Sequence, residues 1–588
     1  MRNTDPDECR AACEVCGTGL REPMLWRVRR PNDLDPGAAG SPGGSGRIPF
    51  RLRIGVTGHR DLEDVDALAG EVRDRLGKIV ERFPTRATTP IVITILSSLA
   101  DGADQLVARE ALSLLGDDGV ELQAVLPVSL ERYRKNFPDP TGFEELFRKA
   151  SRRTQMPYRK AHAAAYGNAG RFIVDHSDVM IALWDGCPSE REGGTAEIVA
   201  YAREQHVCLL VVPTRRTQHP HLAPRTDAGA TDPLRELAPA REAFEHIAKY
   251  NKRSANETRF ERDLSERRAR LGALLAESPA HPTYEEVAAW ALPHLVRANH
   301  LALRYQWWYK RFGEMLYLFA ALAVTAVAAQ SQYGLPTQVA LLEVGFMVSI
   351  LAVYFIAKHW LLQDRWLGYR SLAEAFRSGL FMALAGAAGR SVQTTDGVVE
   401  LATPAETLEL DDLRETWHQR AFSEAWSRRP RIDIERPMAA DLRRFLVEGW
   451  IAEQIGYHHD VARRARRTRK AITWALFALF GVTIAAGTTH GLELASGPSW
   501  RHLSVFLGIA LPGFGAALVG LRDLRRYGIH EHRSTRTAER LRRLERERSS
   551  KSGVPALRQL AEATQFVIYV ESHDWSGVVE FQRLELAI

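Results

Sequence analysis

Val339-Ala-Leu-Leu-Glu-Val-Gly-Phe-Met-Val-Ser-Ile-Leu-Ala-Val-Tyr-Phe-Ile-Ala357 carries a single charge, Glu343, along its whole length. A helix needs about 20 mostly apolar residues to cross roughly 30 Å of hydrocarbon, so this run reads as a membrane span. Three more apolar runs, 315–330, 471–487 and 503–521, complete two close pairs. The runs 315–330 and 471–487 are short and need flanking residues such as Phe312, together with Trp474 inside the second, to reach both interfaces. An isolated apolar run of this kind also fits a buried core helix. Pairing into hairpins with basic flanks favours four spans, at about 313–333, 338–358, 470–488 and 503–522.

The flanks set an expected orientation through the bias of Lys and Arg to the cytoplasmic side. Lys310 and Arg311 precede the first span, and Lys358, Arg365 and Arg370 follow the second, whereas the loop 331–338 has no Lys or Arg. Arg463, Arg464, Arg466, Arg467, Arg469 and Lys470 precede the third span; Arg522, Arg525 and Arg526 follow the fourth, with only Arg501 in the loop 488–502. Both hairpins are therefore expected to project outward from an inner (cytoplasmic) membrane, with both chain ends in the cytoplasm. The polar N-terminus carries no recognisable secretory signal.

Mean hydropathy over the chain is −0.24, so the roughly 300 residues before the first span are polar enough to fold in water. The net charge of +6 gathers beside the spans, where anionic lipid headgroups are sufficient partners and no nucleic acid is expected. Cys9, Cys13 and Cys16 fall in a tail, 1–47, that runs into a Gly/Pro/Ser stretch and is expected to be disordered. They lack a fourth ligand for a zinc site, and no metal or cofactor is expected. Cys187 and Cys208 are expected to be reduced thiols.

From residue 51 the pattern alternates strand and helix. Apolar runs at 52–56, 91–96, 120–126, 179–184 and 207–212 alternate with helical stretches at 65–82, after 102 and at 196–204. Continuous apolar strands joined by helices predict a parallel sheet covered on both faces, a Rossmann-like domain over 48–215. Such sheets bind ligands beyond the carboxyl ends of their strands. Three loops at that edge have anion-binding chemistry. Gly55 stands near the end of the first strand and Thr57, Gly58, His59 and Arg60 follow it; Ser97, Ser98, Gly102 and Asp104 follow the second; and Gly193, Gly194, Thr195 and Glu197 open a helix, where free N–H groups favour an anion. Taken singly, each is ordinary turn chemistry. The absence of a Walker A pattern and of G-x-G-x-x-G argues against a P-loop ATPase or a standard dinucleotide dehydrogenase.

Ile54-Gly55-Val56-Thr57-Gly58-His59-Arg60, Ser97-Ser98-Leu99-Ala100-Asp101-Gly102-Ala103-Asp104 and Gly193-Gly194-Thr195-Ala196-Glu197 resemble the SLOG superfamily, which includes the LOG enzymes, the DNA-processing protein DprA and the N-terminal region of TRPM channels. Arg304-Tyr305-Gln306, Tyr369-Arg370-Ser371-Leu372-Ala373-Glu374 and the segment 450–457 resemble the SLATT-type membrane effectors that accompany SLOG domains. The resemblance implies a soluble domain that recognises a nucleotide-derived small molecule, and a membrane part that oligomerises and forms or gates a pore in bacterial antiphage defence. In LOG-type enzymes a Gly-Gly-x-Gly-Thr-x-x-Glu turn supplies the glutamate that cleaves an N-glycosidic bond, with an upstream arginine. Here the turn is compressed. Glu197 is the candidate acid and Arg171 and Arg60 the candidate arginines, which leaves a membrane-tethered nucleotide hydrolase and a non-catalytic scaffold as alternatives.

Residues 216–235 read as a linker. Two helical regions follow, 236–400 and 401–545, each with one hairpin, and then a cytosolic segment, 546–588. Helical patterns at 243–251 and 283–311 lead toward the first span, and 385–407 reads as a loop. Trp307, Trp308 and Tyr309 suit an interfacial aromatic belt, with core packing as the alternative. The plan repeats after the second hairpin, Ala373-Glu374 and Arg377 matching Ala538-Glu539 and Arg542, as a duplication would give. Glu343 is expected at the interface. The residues Gly508, Pro512, Gly513, Gly515, Ala516, Ala517 and Gly520 make the fourth span small-faced with an expected kink, and suit close helix packing or a pore-lining or gating role.

Overall fold

The computed structural model describes residues 47–580 apart from 85, 87, 117–118, 159, 189–192, 215–232, 253–256, 387–390, 395–396, 402–415, 431, 433, 493–496 and 549–552. The expected tail with Cys9, Cys13 and Cys16, and nearly all of the expected linker, lie outside the described residues. The chain divides into two compact units, one made of Met1–Ser254 with Ala388–Arg428 and the other of Ala255–Ala387 with Arg429–Ile588.

The first unit is the expected α/β domain. Its strands are β1 (Phe50–Gly58), β2 (Ile91–Ser97), β3 (Val120–Leu126), β4 (Arg152–Gln155), β5 (Val179–Trp184) and β6 (Cys208–Pro213); its helices include α1 (Val65–Glu81), α2 (Ala103–Leu115), α3 (Leu130–Arg134), α4 (Thr141–Lys149), α5 (Ala163–Asp175), α6 (Thr195–Glu204) and α7 (Ala238–Lys252). The six strands pair in parallel in the order β6-β5-β1-β2-β3-β4. The chain starts in the middle, steps outward through β4, and then crosses back to place β5 on the other side of β1. That reversal is the topological switch point, where an open α/β sheet leaves a crevice.

Apolar strand runs are buried on both faces: Phe50, Leu52 and Ile54 are fully buried, and β5 is buried throughout. Each such side chain contributes about 1.5–3 kcal/mol relative to exposure. In α1 the buried set is Leu68, Ala69, Val72, Leu76 and Ile79; Val65 shares that face by helical spacing but is the first residue of the helix and is exposed. Strand β4, Arg-Arg-Thr-Gln, has no apolar run to announce it and is held by its pairing to β3.

Residues 388–428, placed by the sequence reading in the helical part and at a loop, belong to the sheet unit. Strands β7 (Ser391–Thr394) and β8 (Gly397–Leu401) form an antiparallel pair that extends the sheet beyond β4. The helix Trp417–Ser427 then packs below β1. Arg51, near the start of β1, bonds Glu424 (Nε to Oε2, 2.5 Å) and Glu121 (2.7 Å), while Arg420 bonds both oxygens of Asp178 and donates to the Arg51 carbonyl at 2.6 Å. Helix α7 docks nearby: Asn251 bonds the amide and carbonyl of Ile48 at 2.9 and 2.7 Å, and Phe244 packs on Phe50 with ring centroids 5.4 Å apart. These partners lie too far apart in the chain for local patterning to reveal them.

The second unit is helical, and four of its helices are long and apolar enough to cross a membrane. The first crosses within a 53-residue helix, His281–Tyr333, and the second is Ala340–His359; the third lies in Ala452–Gly491 and the fourth in Pro498–Arg525. Their outer faces are bare of protein: Leu341, Ile484 and Trp474 are 68, 68 and 73 % exposed, a cost in water that lipid removes. Thr325 and Thr483 turn their hydroxyls onto the carbonyls of Ala321 and Leu479, four residues back, and Glu343 falls in the first turn of its helix. The fourth span uses part of its small-residue face for packing, since a Cβ on Gly520 would sit 2.3 Å from Tyr317 and one on Gly513 3.2 Å from Val324 of the first span. Gly508 and Gly515 meet nothing within 4 Å. Tyr309 is buried against Trp366 and Trp307 is half exposed, so the aromatic trio divides between core and surface.

The hairpins match at one further point. The second and fourth spans each end at a non-glycine residue in the left-handed region, Leu361 (φ 47°) and Arg526 (φ 40°), before a new helix starts. Ala373-Glu374 and Ala538-Glu539 each begin twelve residues after that break, so the sequence match and the backbone break share one register.

Candidate functional site

The crevice lies beyond β1 and β5, the two strands flanking the switch point. Gly58, at the end of β1, pairs with Leu183 of β5, and the His59 amide donates to the Leu183 carbonyl at 3.0 Å. The next residue of each loop closes the gap: His59 Nε2 lies 3.1 Å from Asp185 Oδ1 and 3.3 Å from the Asp185 amide. Asp185 also accepts from the Cys187 amide at 3.0 Å. It is a site residue that sequence reasoning missed, although its place directly after β5, in Trp184-Asp185-Gly186, is the strand-end position that the topology rule singles out.

Two glycines let the loops close up. A Cβ on Gly58 would lie 2.3 Å from that of Ala103, and Gly102, at φ +80°, has the Arg60 carbonyl 2.1 Å from where a Cβ would be. Only a residue without a side chain fits there. The result is a stitch in which the Ala103 amide, at the start of α2, donates to the His59 carbonyl at 3.0 Å. Gly55 is different: it lies inside β1, and a Cβ would strike Met180, Ser177 and Ile173, so its role is to seat α5 and β5 against β1.

Asp104 braces the second loop from within. Its carboxylate accepts from the Ser97 hydroxyl and from the amides of Ala100 and Ser98, and Arg60 adds a favourable charge, but complete burial outweighs these and pushes it up to about 6. Ser97 Oγ also accepts from the Leu99 amide at 2.9 Å, which holds Leu99 at φ 55°. The buried Tyr133 donates to the Ser98 carbonyl at 3.0 Å, and burial holds its phenol well above its ordinary range. The Ser97–Gly102 turn is thus set by buried groups beneath it, while the Arg60 side chain stays exposed and Thr57 and Ser98 are half-buried.

The third loop has its own brace. Glu197 Oε2 accepts from the Gly193 amide at 2.6 Å, and Oε1 pairs with Arg171 of α5 at 3.1 Å. Of the two candidate arginines, Arg171 is the one brought to Glu197. Gly193, at φ +75°, lies against α5, with the Ala163 carbonyl and the Gly167 amide 2.8 and 2.9 Å from where a Cβ would be. Gly194 caps α6 with no side-chain hydrogen bond of its own, and Thr195 opens the helix.

The structure therefore brings Thr57, Gly58, His59 and Arg60 together with Ser97, Ser98, Gly102 and Asp104 at one edge of the sheet, with Asp185 across the crevice, and gathers Gly193, Gly194, Thr195 and Glu197 at the start of α6. Chemically the edge offers backbone amides, hydroxyls and one exposed guanidinium, a set suited to a phosphate-bearing ligand. Among the described residues no group of three or more His, Cys, Asp or Glu side chains could hold a metal ion. Among the described residues Cys187 and Cys208 are not joined in a disulfide. Comparison with known proteins finds no matching family model and no matching curated protein.

Proposed function

We propose that the sheet unit is a SLOG-like sensor of a nucleotide-derived signal and that the four spans are its SLATT-type output, a homo-oligomeric assembly that opens or depolarises a bacterial inner membrane in antiphage defence. The observation that carries this reading is the sheet edge at the switch point, where loops stitched by Gly102 and braced by Asp104 gather Thr57, Ser98 and the exposed Arg60. The path to the membrane is covalent, because the chain passes between the two units after residues 254, 387 and 428. A ligand moves such a system only as far as it prefers one of two states. Four helices with so little polar lining do not enclose water alone, so the pore reading requires several copies.

The test is a thermal-shift screen of the full-length protein in neutral detergent against mononucleotides, cyclic dinucleotides and NAD-derived nucleotides. A compound that raises the melting temperature of the wild type but not of Arg60→Ala, and that releases a trapped dye from proteoliposomes, supports the proposal. No shift with any of them, or shifts unchanged in Arg60→Ala, overturns the sensor reading.

The Arg171–Glu197 pair favours a second reading, a LOG-like nucleotide hydrolase. Release of free base that stops in Glu197→Ala would establish it.

A further inference from the structure

The helical unit contains a cavity of about 410 Å³ lined by Arg469, Thr473, Arg522, Asp523, Arg526, Tyr527, Gly528 and Ile529. Its place in the chain is specific. Arg469 and Thr473 stand where the third span begins and Arg522 and Asp523 where the fourth ends, so the cavity lies at the level where charged residues resume beside the hydrocarbon. The left-handed turn at Arg526 swings the chain around it into the helix Tyr527–Arg548.

The charge balance at this place is one-sided. Three guanidinium groups line the cavity against one carboxylate, and Asp523 is two-thirds exposed while pairing with Arg522 at 3.3 Å. Glu531, just beyond the lining, serves both Arg469 at 3.1 Å and Arg466 at 3.9 Å. Behind them the same unit packs more cations. Burial together with Arg525, Arg370 and Arg464 lowers the Lys310 ammonium, and burial with Arg370, Arg533 and Lys310 holds His530 down at about 4. Glu314 pairs with Arg525 at 2.7 Å and Arg370 draws on Glu374 and Glu571, so cations outnumber acids here without being alone. Basic pockets between membrane helices recognise phosphate-bearing headgroups, and guanidinium forks match phosphate geometry.

We propose that this cavity is a binding site for a phosphate-bearing anion, with an anionic lipid headgroup of the adjoining leaflet as its source. The site is independent of what the sheet unit binds. Arg526 supplies the charge, Arg522 is shared with Asp523 and Arg469 with Glu531, and the turn at Arg526-Tyr527-Gly528 lines the cavity.

The experiment follows thermal unfolding of the full-length protein in neutral detergent with added phosphatidylglycerol, phosphatidylcholine or inorganic phosphate. Phosphatidylglycerol is expected to raise the melting temperature by several degrees and phosphatidylcholine not to. Arg522→Gln and Arg526→Gly should each lose most of that rise; the glycine keeps the left-handed turn while removing the cation, so its fold is retained. Arg463→Gln, which removes an exposed arginine paired with Asp460, should keep the rise. A rise with inorganic phosphate alone, lost in the same two variants, supports the site with a free anion as occupant. A rise that survives both variants, equal rises with the two lipids, or no rise with either phosphate source overturns the proposal.

Discussion

The two ends of the β-sheet solve one packing problem with opposite chemistry. At the carboxyl end, loops are held by backbone: glycines without room for a side chain, amides turned onto carbonyls, and one buried acid, Asp104, at their centre. At the amino end, the Trp417–Ser427 helix is held by charge, with Arg51 and Glu424 at 11 and 3 % exposure and Arg420 against Asp178 at 8 and 12 %. The difference teaches where each end is free to change. Backbone braces leave side chains such as Arg60 available to a ligand; buried ion pairs use up theirs and fix a distant segment in place.

The largest effect is expected at the charged end. Glu424→Ala leaves a buried guanidinium with only Glu121 and Thr94 as side-chain partners and should destabilise the sheet unit by about 3–5 kcal/mol, the cost of an uncompensated buried charge. Chemical unfolding of the full-length protein measures it, and a cycle with Arg51→Met should be strongly non-additive. An additive cycle would mean that the pair does not hold the returning helix. The Arg51 charge and hydrogen bond hold the Glu424 carboxyl below its ordinary 4.5 despite burial, so this contribution is present above that value and fades as pH falls below it.

Asp104 should behave in the opposite sense. Burial raises it from 3.8 to about 6, so between those values the unfolded chain has lost the proton that the folded one still holds. Stability is therefore greatest below the window and falls as pH rises through it, by on the order of 2–3 kcal/mol. Asp104→Asn should flatten that slope, seen in unfolding free energies compared at about pH 4 and about pH 7. A slope unchanged by the substitution would remove Asp104 as its source and weaken the contrast between the two ends.

What the sequence disclosed follows the same divide. The spans, the parallel sheet and the three loops were legible because each is signalled within a few residues: apolar runs, or glycine directly after a strand. Glu197 was legible, and Arg171 only as one of two candidates, since choosing between them needs the packing of α5 on α6. Asp185 was passed over because one acid after a strand resembles any turn. The Arg51–Glu424 and Arg420–Asp178 pairs, and the whole return of 388–428, were not legible, because their partners lie hundreds of residues apart and no local pattern marks them. Fragment 48–215 alone would lack that helix, so ligand screens belong on the full chain.

A smaller change tests the backbone brace. Gly102→Ala places a Cβ against the Arg60 carbonyl at a φ that L-residues avoid and should cost about 2 kcal/mol. Gly77→Ala, in mid-α1 with nothing within 4 Å, should instead stabilise by about 0.5–1 kcal/mol. Equal effects at the two glycines would contradict the stitched-loop geometry.

The smallest stability effect is expected at Glu197, where the comparison turns on function. Its pair with Arg171 is about one-third exposed on both sides, and pairs of that kind contribute roughly 0–1 kcal/mol, so Glu197→Gln should leave unfolding nearly unchanged. The amide oxygen of glutamine still accepts from Gly193, but the side chain no longer carries a charge for Arg171 or a proton for acid catalysis. If the carboxyl edge only senses, ligand-induced melting shifts should persist in Glu197→Gln with no base released by either protein. If it catalyses, base release should vanish in the variant while ligand binding remains. Loss of several kcal/mol would instead place Glu197 with the buried pairs at the other end of the sheet, and the division between a braced, available edge and a charged, committed one would no longer hold.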